Sequence, residues 1–142
     1  MGHSRNTRTH DSTRAVARGG ARTIGRPVVL DLVDTYCGAW NDDDDHRRRE
    51  SLEAIWADDA TFRDPMVELA GHEELATHIG ELRGLIPGIH LAWDRRVRRC
   101  GDWFTFDWDL TRPGRPTLRG RDVVRLDAGA RVSQLIGFWE GR

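Results

Sequence analysis

Apolar residues recur three and four apart through the first half of the chain and alternate through the second, so helices are expected first and strands after them. Val29, Leu32, Val33, Tyr36 and Trp40 mark one face of a helix over 28–40, with Asp31 and Asp34 opposite. An acidic break at 41–45 ends in Asp45, placed to cap a second helix. That helix carries Arg47, Arg48 and Arg49 and then Leu52, Ile55 and Trp56, and is expected to stop at the Asp58, Asp59 pair. A short strand follows, on which Phe62 and Asp64 share a face. Residues 66–71 read as a connection. Leu75, Ile79, Leu82 and Ile86 then form the stripe of a third helix over 72–85, terminated by Pro87 and Gly88.

The remainder reads as strand. A first segment, 90–99, is basic on its outer face. The second, 103–111, sets Phe104, Phe106, Trp108 and Leu110 against Trp103, Thr105, Asp107 and Asp109. After a turn at 112–116, the segment 118–126 sets Leu118, Gly120, Asp122, Val124 and Leu126 against Arg119, Arg121, Val123 and Arg125. A turn at 127–130 leads to a last strand, 132–139. This order gives an α+β class in which about three helices gather on one face of a curved, mostly antiparallel sheet. Such a sheet closed by helices makes a conical pocket, and six tryptophans are enough to line one.

At 142 residues the chain is one domain by size. Residues 1–27 lack an apolar period and read as a disordered, solvated tail, which leaves 28–142 as the domain. Residues 1–26 hold six arginines against one acid, a balance of +5; residues 27–142 hold 16 arginines against 22 acids, or −6. An acidic domain disfavours nucleic acid as a partner. No apolar run is long enough to span a bilayer, so no membrane partner is expected. All 22 basic residues are arginine, which points to a GC-rich bacterial coding sequence. Cys37 and Cys100 have no metal-like spacing and fit a reducing, cytoplasmic setting. His72 and His78 stand six apart where a metalloprotease helix needs four, so no metal site is expected.

The candidate chemistry centres on Trp-Ala-Asp-Asp-Ala-Thr-Phe-Arg-Asp-Pro, residues 56–65. If the strand face holding Asp64 looks into an apolar cavity, Asp64 is a desolvated carboxylate suited to act as a general base. The competing reading is that Asp64 begins a turn with Pro65. Tyr36 lies at core spacing on its helix. Asp122 lies on an apolar strand face, where a buried carboxyl needs either a function or a structural hydrogen bond.

These elements together resemble the nuclear transport factor 2-like (NTF2-like) superfamily, in its SnoaL-like and ketosteroid isomerase branch. The resemblance covers 28–142. It rests on the 56–65 segment, on Gly-Arg-Asp-Val-Val-Arg-Leu-Asp at 120–127 followed by Gly129, Arg131 and Val132, on the closing Phe138-Trp139 pair, and on Tyr36. It implies a conical fold and a cofactor-free isomerase acting beside the carbonyl of a small hydrophobic substrate. Asp64 would be the base, Tyr36 and a protonated Asp122 the oxyanion donors, and Phe62, Trp56, Met66, Trp108 and Trp139 the pocket. Leu118, Val124 and Phe138 are the apolar neighbours expected to keep Asp122 neutral. A polyketide cyclase or dehydratase using the same aspartate, or a non-catalytic small-ligand-binding or dimerisation module, would suit the same resemblance. It also implies a homodimer. Arg121 and Asp122 are adjacent on a strand and point to opposite faces, which argues against an Asp-Arg-Asp relay.

Overall fold

The computed structural model describes residues 24–140. Helix α1 (Arg26–Asn41) starts from Gly25, with Pro27 in its first turn where a missing N–H costs nothing. Its inner face buries Val29, Leu32, Val33, Tyr36 and Trp40. Ile24, ahead of the helix, is also buried, and its carbonyl accepts from Arg99 Nη1 at 2.7 Å. Order therefore reaches a few residues before position 28; the rest of the expected tail, 1–23, lies outside the described residues. Asp44 rather than Asp45 caps α2 (Asp45–Ile55), its Oδ1 taking the Arg47 N–H at 2.9 Å.

Helix α2 ends at Ile55, earlier than expected, because Trp56 already has extended dihedrals and opens strand β1 (Trp56–Arg63). Between Trp56 and Thr61 the register of β1 against its neighbour breaks. Asp58 and Asp59 stand exposed in this bulge, while Trp56 Nε1 donates back to the Ala60 carbonyl at 3.3 Å. The connection after β1 contains a further short strand, β2 (Glu68–Ala70), antiparallel to β1 and tied by an Arg63–Glu68 ion pair. Helix α3 (Gly71–Leu85) then buries Leu75, Ala76 and Ile79. Its C-terminal Arg83 reaches the Trp40 carbonyl at 2.8 Å and the Ile89 carbonyl at 3.0 Å, binding the ends of α1 and α3 together.

The expected strand over 90–99 is two strands, β3 (His90–Trp93) and β4 (Arg98–Cys100). Asp94 accepts the Arg96 N–H at 3.0 Å, and Arg95 between them adopts φ of 61°, so the chain turns out of the ladder here. Strands β5 (Trp103–Thr111), β6 (Leu118–Leu126) and β7 (Val132–Trp139) keep the bounds that their alternation predicts. The sheet runs β2-β1-β7-β6-β5-β3, with β4 also on β5; among the described residues only β1 and β7 pair in parallel. Asn41, at the end of α1, both donates to and accepts from Leu91 on the edge strand β3, at 2.8 and 2.7 Å. Among the described residues three helices thus close one face of a curved sheet whose inner side chains, with those of all three helices, form one continuous core.

Candidate active site

A cavity of about 310 Å³ opens between the helices and the sheet. Its walls are mainly apolar, from Trp40, Phe62, Leu82, Leu91, Trp108 and Trp139, and its polar groups come from Tyr36, Asp64, His78, Arg112 and Asp122. Asp64, Tyr36 and Asp122 thus line one cavity.

Asp122 projects inward from β6 and is 3% exposed, while Arg121 beside it points outward and pairs with Asp107 at 2.6 Å. Two glycines make room for this carboxyl. Gly120 lies opposite Trp108, where an added Cβ would stand 2.2 Å from Trp108 Cζ2. The indole can therefore lie across β6, and its Nε1 donates to Asp122 Oδ1 at 2.9 Å. Gly137 on β7 faces Asp122 across the strands. A Cβ there would lie 2.9 Å from Asp122 Oδ1 and 3.6 Å from Asp64 Cβ, so both acids flank one point of the wall.

Burial pushes the Asp122 carboxyl up to about 7; the Trp108 N–H opposes that shift, the charge on Asp64 adds to it, and the Tyr36 hydroxyl opposes it. Tyr36 is itself held well above the ordinary tyrosine range, first by burial and then by the charge of Asp122, so its hydroxyl stays a donor. Its ring stacks on Trp56 at 6.3 Å and 11°.

Asp64 follows the last residue of β1 and is half-buried. Its Oδ1 accepts the N–H groups of Met66 and Val67 at 2.8 and 3.0 Å. The turn and the cavity are therefore not alternatives: the turn orients a carboxylate that also lines the cavity, and both amide bonds fall on the same oxygen.

Phe62, Met66, Trp108 and Trp139 line the cavity, Met66 from its exposed rim. Trp56 does not. It is 1% exposed and stands behind Tyr36, because the bulge in β1 turns its ring into the core. Phe138 is not a neighbour of Asp122 either; it is 56% exposed on the outer face, and Gly137 holds the inward position.

His78, Trp40 and Arg112 are cavity residues that the sequence reading passed over. His78 had a signal, standing three after Leu75 and four before Leu82 on the inward stripe of α3. Its ring lies 6.4 Å from both Phe62 and Trp40. Burial lowers its pKa, against opposing contributions from Asp64 and Glu81, so the imidazole is neutral near pH 7. Arg112 had no such signal, since it lies in a turn. Among the described residues no group of His, Cys, Asp and Glu side chains is arranged to hold a metal ion, and no helix is long and apolar enough to cross a membrane.

No curated protein matches the chain. Among solved structures, a candidate isomerase of the SnoaL-like family from Agrobacterium tumefaciens is 31% identical with a TM-score of 0.72, over 79% of this chain and 97% of that one. A SnoaL-like protein of unknown function from Burkholderia thailandensis superposes with a TM-score of 0.66 at 18% identity, over 83% and 98% of the two chains. An NTF2-like protein of unknown function from Cytophaga hutchinsonii gives 0.60 at 16% identity, over 83% and 92%. These likenesses bear out the NTF2-like cone and the α+β layout. The family model for the SnoaL-like domain matches residues 33–134, and the chain belongs to the SnoaL-like domain family.

Proposed function

We propose that this protein is a cofactor-independent isomerase-like enzyme that moves a proton beside the carbonyl of a small hydrophobic compound. The observation that carries the reading is the convergence of Asp64 and Asp122, with the Tyr36 hydroxyl, on one largely apolar cavity. In this reading Asp64 takes a proton from the carbon next to the carbonyl. The C–H electron pair moves into the conjugated system, and negative charge gathers on the carbonyl oxygen. Tyr36 and protonated Asp122 donate to that oxygen as the charge appears, which stabilises the transition state more than the ground state. Asp122 suits the role because Oδ1 is engaged by Trp108, leaving the second oxygen to carry the proton. Asp64 then returns its proton to the far carbon of the enolate, completing an isomerisation with no net change in protons or electrons.

A cyclase or dehydratase is the second reading, favoured by His78, a neutral imidazole in the same lining that could pass a proton alongside Asp64. A panel of β,γ-unsaturated ketones, from monocyclic compounds up to a 3-ketosteroid, tests the first reading by the absorbance of the conjugated product. Wild type should turn over at least one of them, and Asp64→Asn should be slower by about 10²- to 10⁴-fold. Equal rates in the two proteins would remove Asp64 as the base. Absence of turnover across the panel would remove the isomerase and leave the cyclase and ligand-binding readings.

A further inference from the structure

We infer that the substrate of this cavity carries an anionic group, a carboxylate, at the end remote from its carbonyl, and that Arg112 receives it. This rests on the proposed function for the identity of the deep end of the cavity, and adds which class of carbonyl compound enters.

Arg112 is the one permanent cation among the described residues that line the cavity, and it also lines the hollow outside it. Position 112 directly follows the last residue of β5, whereas Asp122 pairs with Phe106 six residues earlier on that strand. Arginine and acid therefore sit toward opposite ends of the cavity. Arg112 Nε and Nη2 donate to the Pro116 carbonyl at 3.2 and 2.8 Å, which fixes the plane of the guanidinium across its own hairpin. A carbonyl orients a guanidinium but does not neutralise it, and among the described residues no carboxylate lies within ion-pair distance of this one. Its remaining N–H edge is suited to a carboxylate.

The surroundings agree in sign. The β5–β6 hairpin, 111–120, contains Arg112, Arg115 and Arg119 and no acid, on a domain that is otherwise acidic. Arg119 reaches Asp109 at 3.4 Å. Among the described residues Glu140 is the one carboxylate along the outer hollow, and it lines that hollow and not the cavity. The cavity thus has the buried acid Asp122 toward one end and the cation Arg112 toward the other, with the half-buried Asp64 on its wall. A carboxylate-bearing ligand entering the wrong way round would meet Asp122, and the right way round would meet Arg112. The charge pattern sets orientation as well as affinity.

The test uses 4′-hydroxybiphenyl-4-carboxylate and its neutral carboxamide, whose phenol end offers an oxygen to Tyr36 and Asp122. Isothermal titration calorimetry at pH 6, where Asp122 keeps its proton and the probe carboxylate is ionised, and at low salt gives the ratio of their affinities. Wild type should prefer the carboxylate by about tenfold, a charge-assisted bidentate contact at a half-exposed site. Arg112→Gln should bring the ratio to one or below, while Arg115→Gln, on the same hairpin but outside the cavity lining, should keep it. No preference in wild type, or equal loss in both variants, overturns the inference and leaves the isomerase reading standing if the carboxamide still binds. Failure of wild type to bind either compound overturns the inference together with the reading of the cavity it rests on.

Discussion

Replacing Asp122 by Asn isolates the cost of one buried carboxyl. In the folded protein this group titrates at about 7, whereas in an unfolded chain it titrates at about 3.9. Above pH 4 the unfolded state has released a proton that the folded state still holds. Unfolding then releases a proton, so stability falls as pH rises, and the loss is complete once pH passes the folded value. The full interval corresponds to about 4 kcal/mol, of which about 3 kcal/mol falls between pH 5 and pH 9. The amide in the Asp122→Asn variant has no such titration, and its oxygen can still accept from Trp108. Urea unfolding followed by tryptophan fluorescence should therefore show the variant gaining about 3 kcal/mol on wild type from pH 5 to pH 9. In thermal melts that is a gap opening by roughly 10 °C. Titrations that are not coupled to Asp122 cancel in the comparison. Parallel pH profiles for the two proteins would mean that Asp122 is not held near neutrality by burial, and would remove it as a hydrogen-bond donor in the site.

Three further outcomes follow from the same geometry. Gly120→Ala puts a Cβ 2.2 Å from Trp108 Cζ2, so chemical denaturation should show a loss of about 1–3 kcal/mol or more, with altered Trp108 fluorescence. Gly137→Ala meets the carboxyl at 2.9 Å and not a ring; calorimetry should find its affinity for 4-phenylphenol reduced more than its stability, and the reverse order for the two glycines would refute the placement of Asp122 between them. NMR titration of His78 should give a pKa lower still in Asp64→Asn, because the Asp64 charge opposes the burial that lowers it; an unchanged value would separate the two residues electrostatically.

Much of this fold is legible in the sequence, because alternation and helical stripes report burial directly. Phe104, Phe106 and Trp108 face inward, as their spacing predicts, and β5, β6 and β7 begin and end where the pattern does. Failures occur where non-local pairing decides. Trp56 matches a helical stripe, yet the pairing of β1 with β7 claims it as the first residue of a strand and buries its ring behind Tyr36. The segment 90–99 places Leu91, Trp93 and Val97 on one face as a single strand would, yet Asp94 and Arg95 turn the chain so that its halves pair with opposite ends of β5.

The site is harder to read than the fold, because much of its geometry depends on missing side chains. Asp122 could be singled out as a carboxyl on an apolar face, and Asp64 as an acid before proline. Nothing in the periodicity gives weight to Gly120 or Gly137, since a glycine has no hydrophobic sign. Gly120 nevertheless lets Trp108 cross β6 to reach Asp122, and Gly137 leaves the gap in which the two acids approach. The family resemblance instead draws attention to Phe138, which points outward. Bringing two carboxyls together in an apolar cavity requires strand positions where bulk is forbidden. In this chain those positions mark the site as firmly as the acids do.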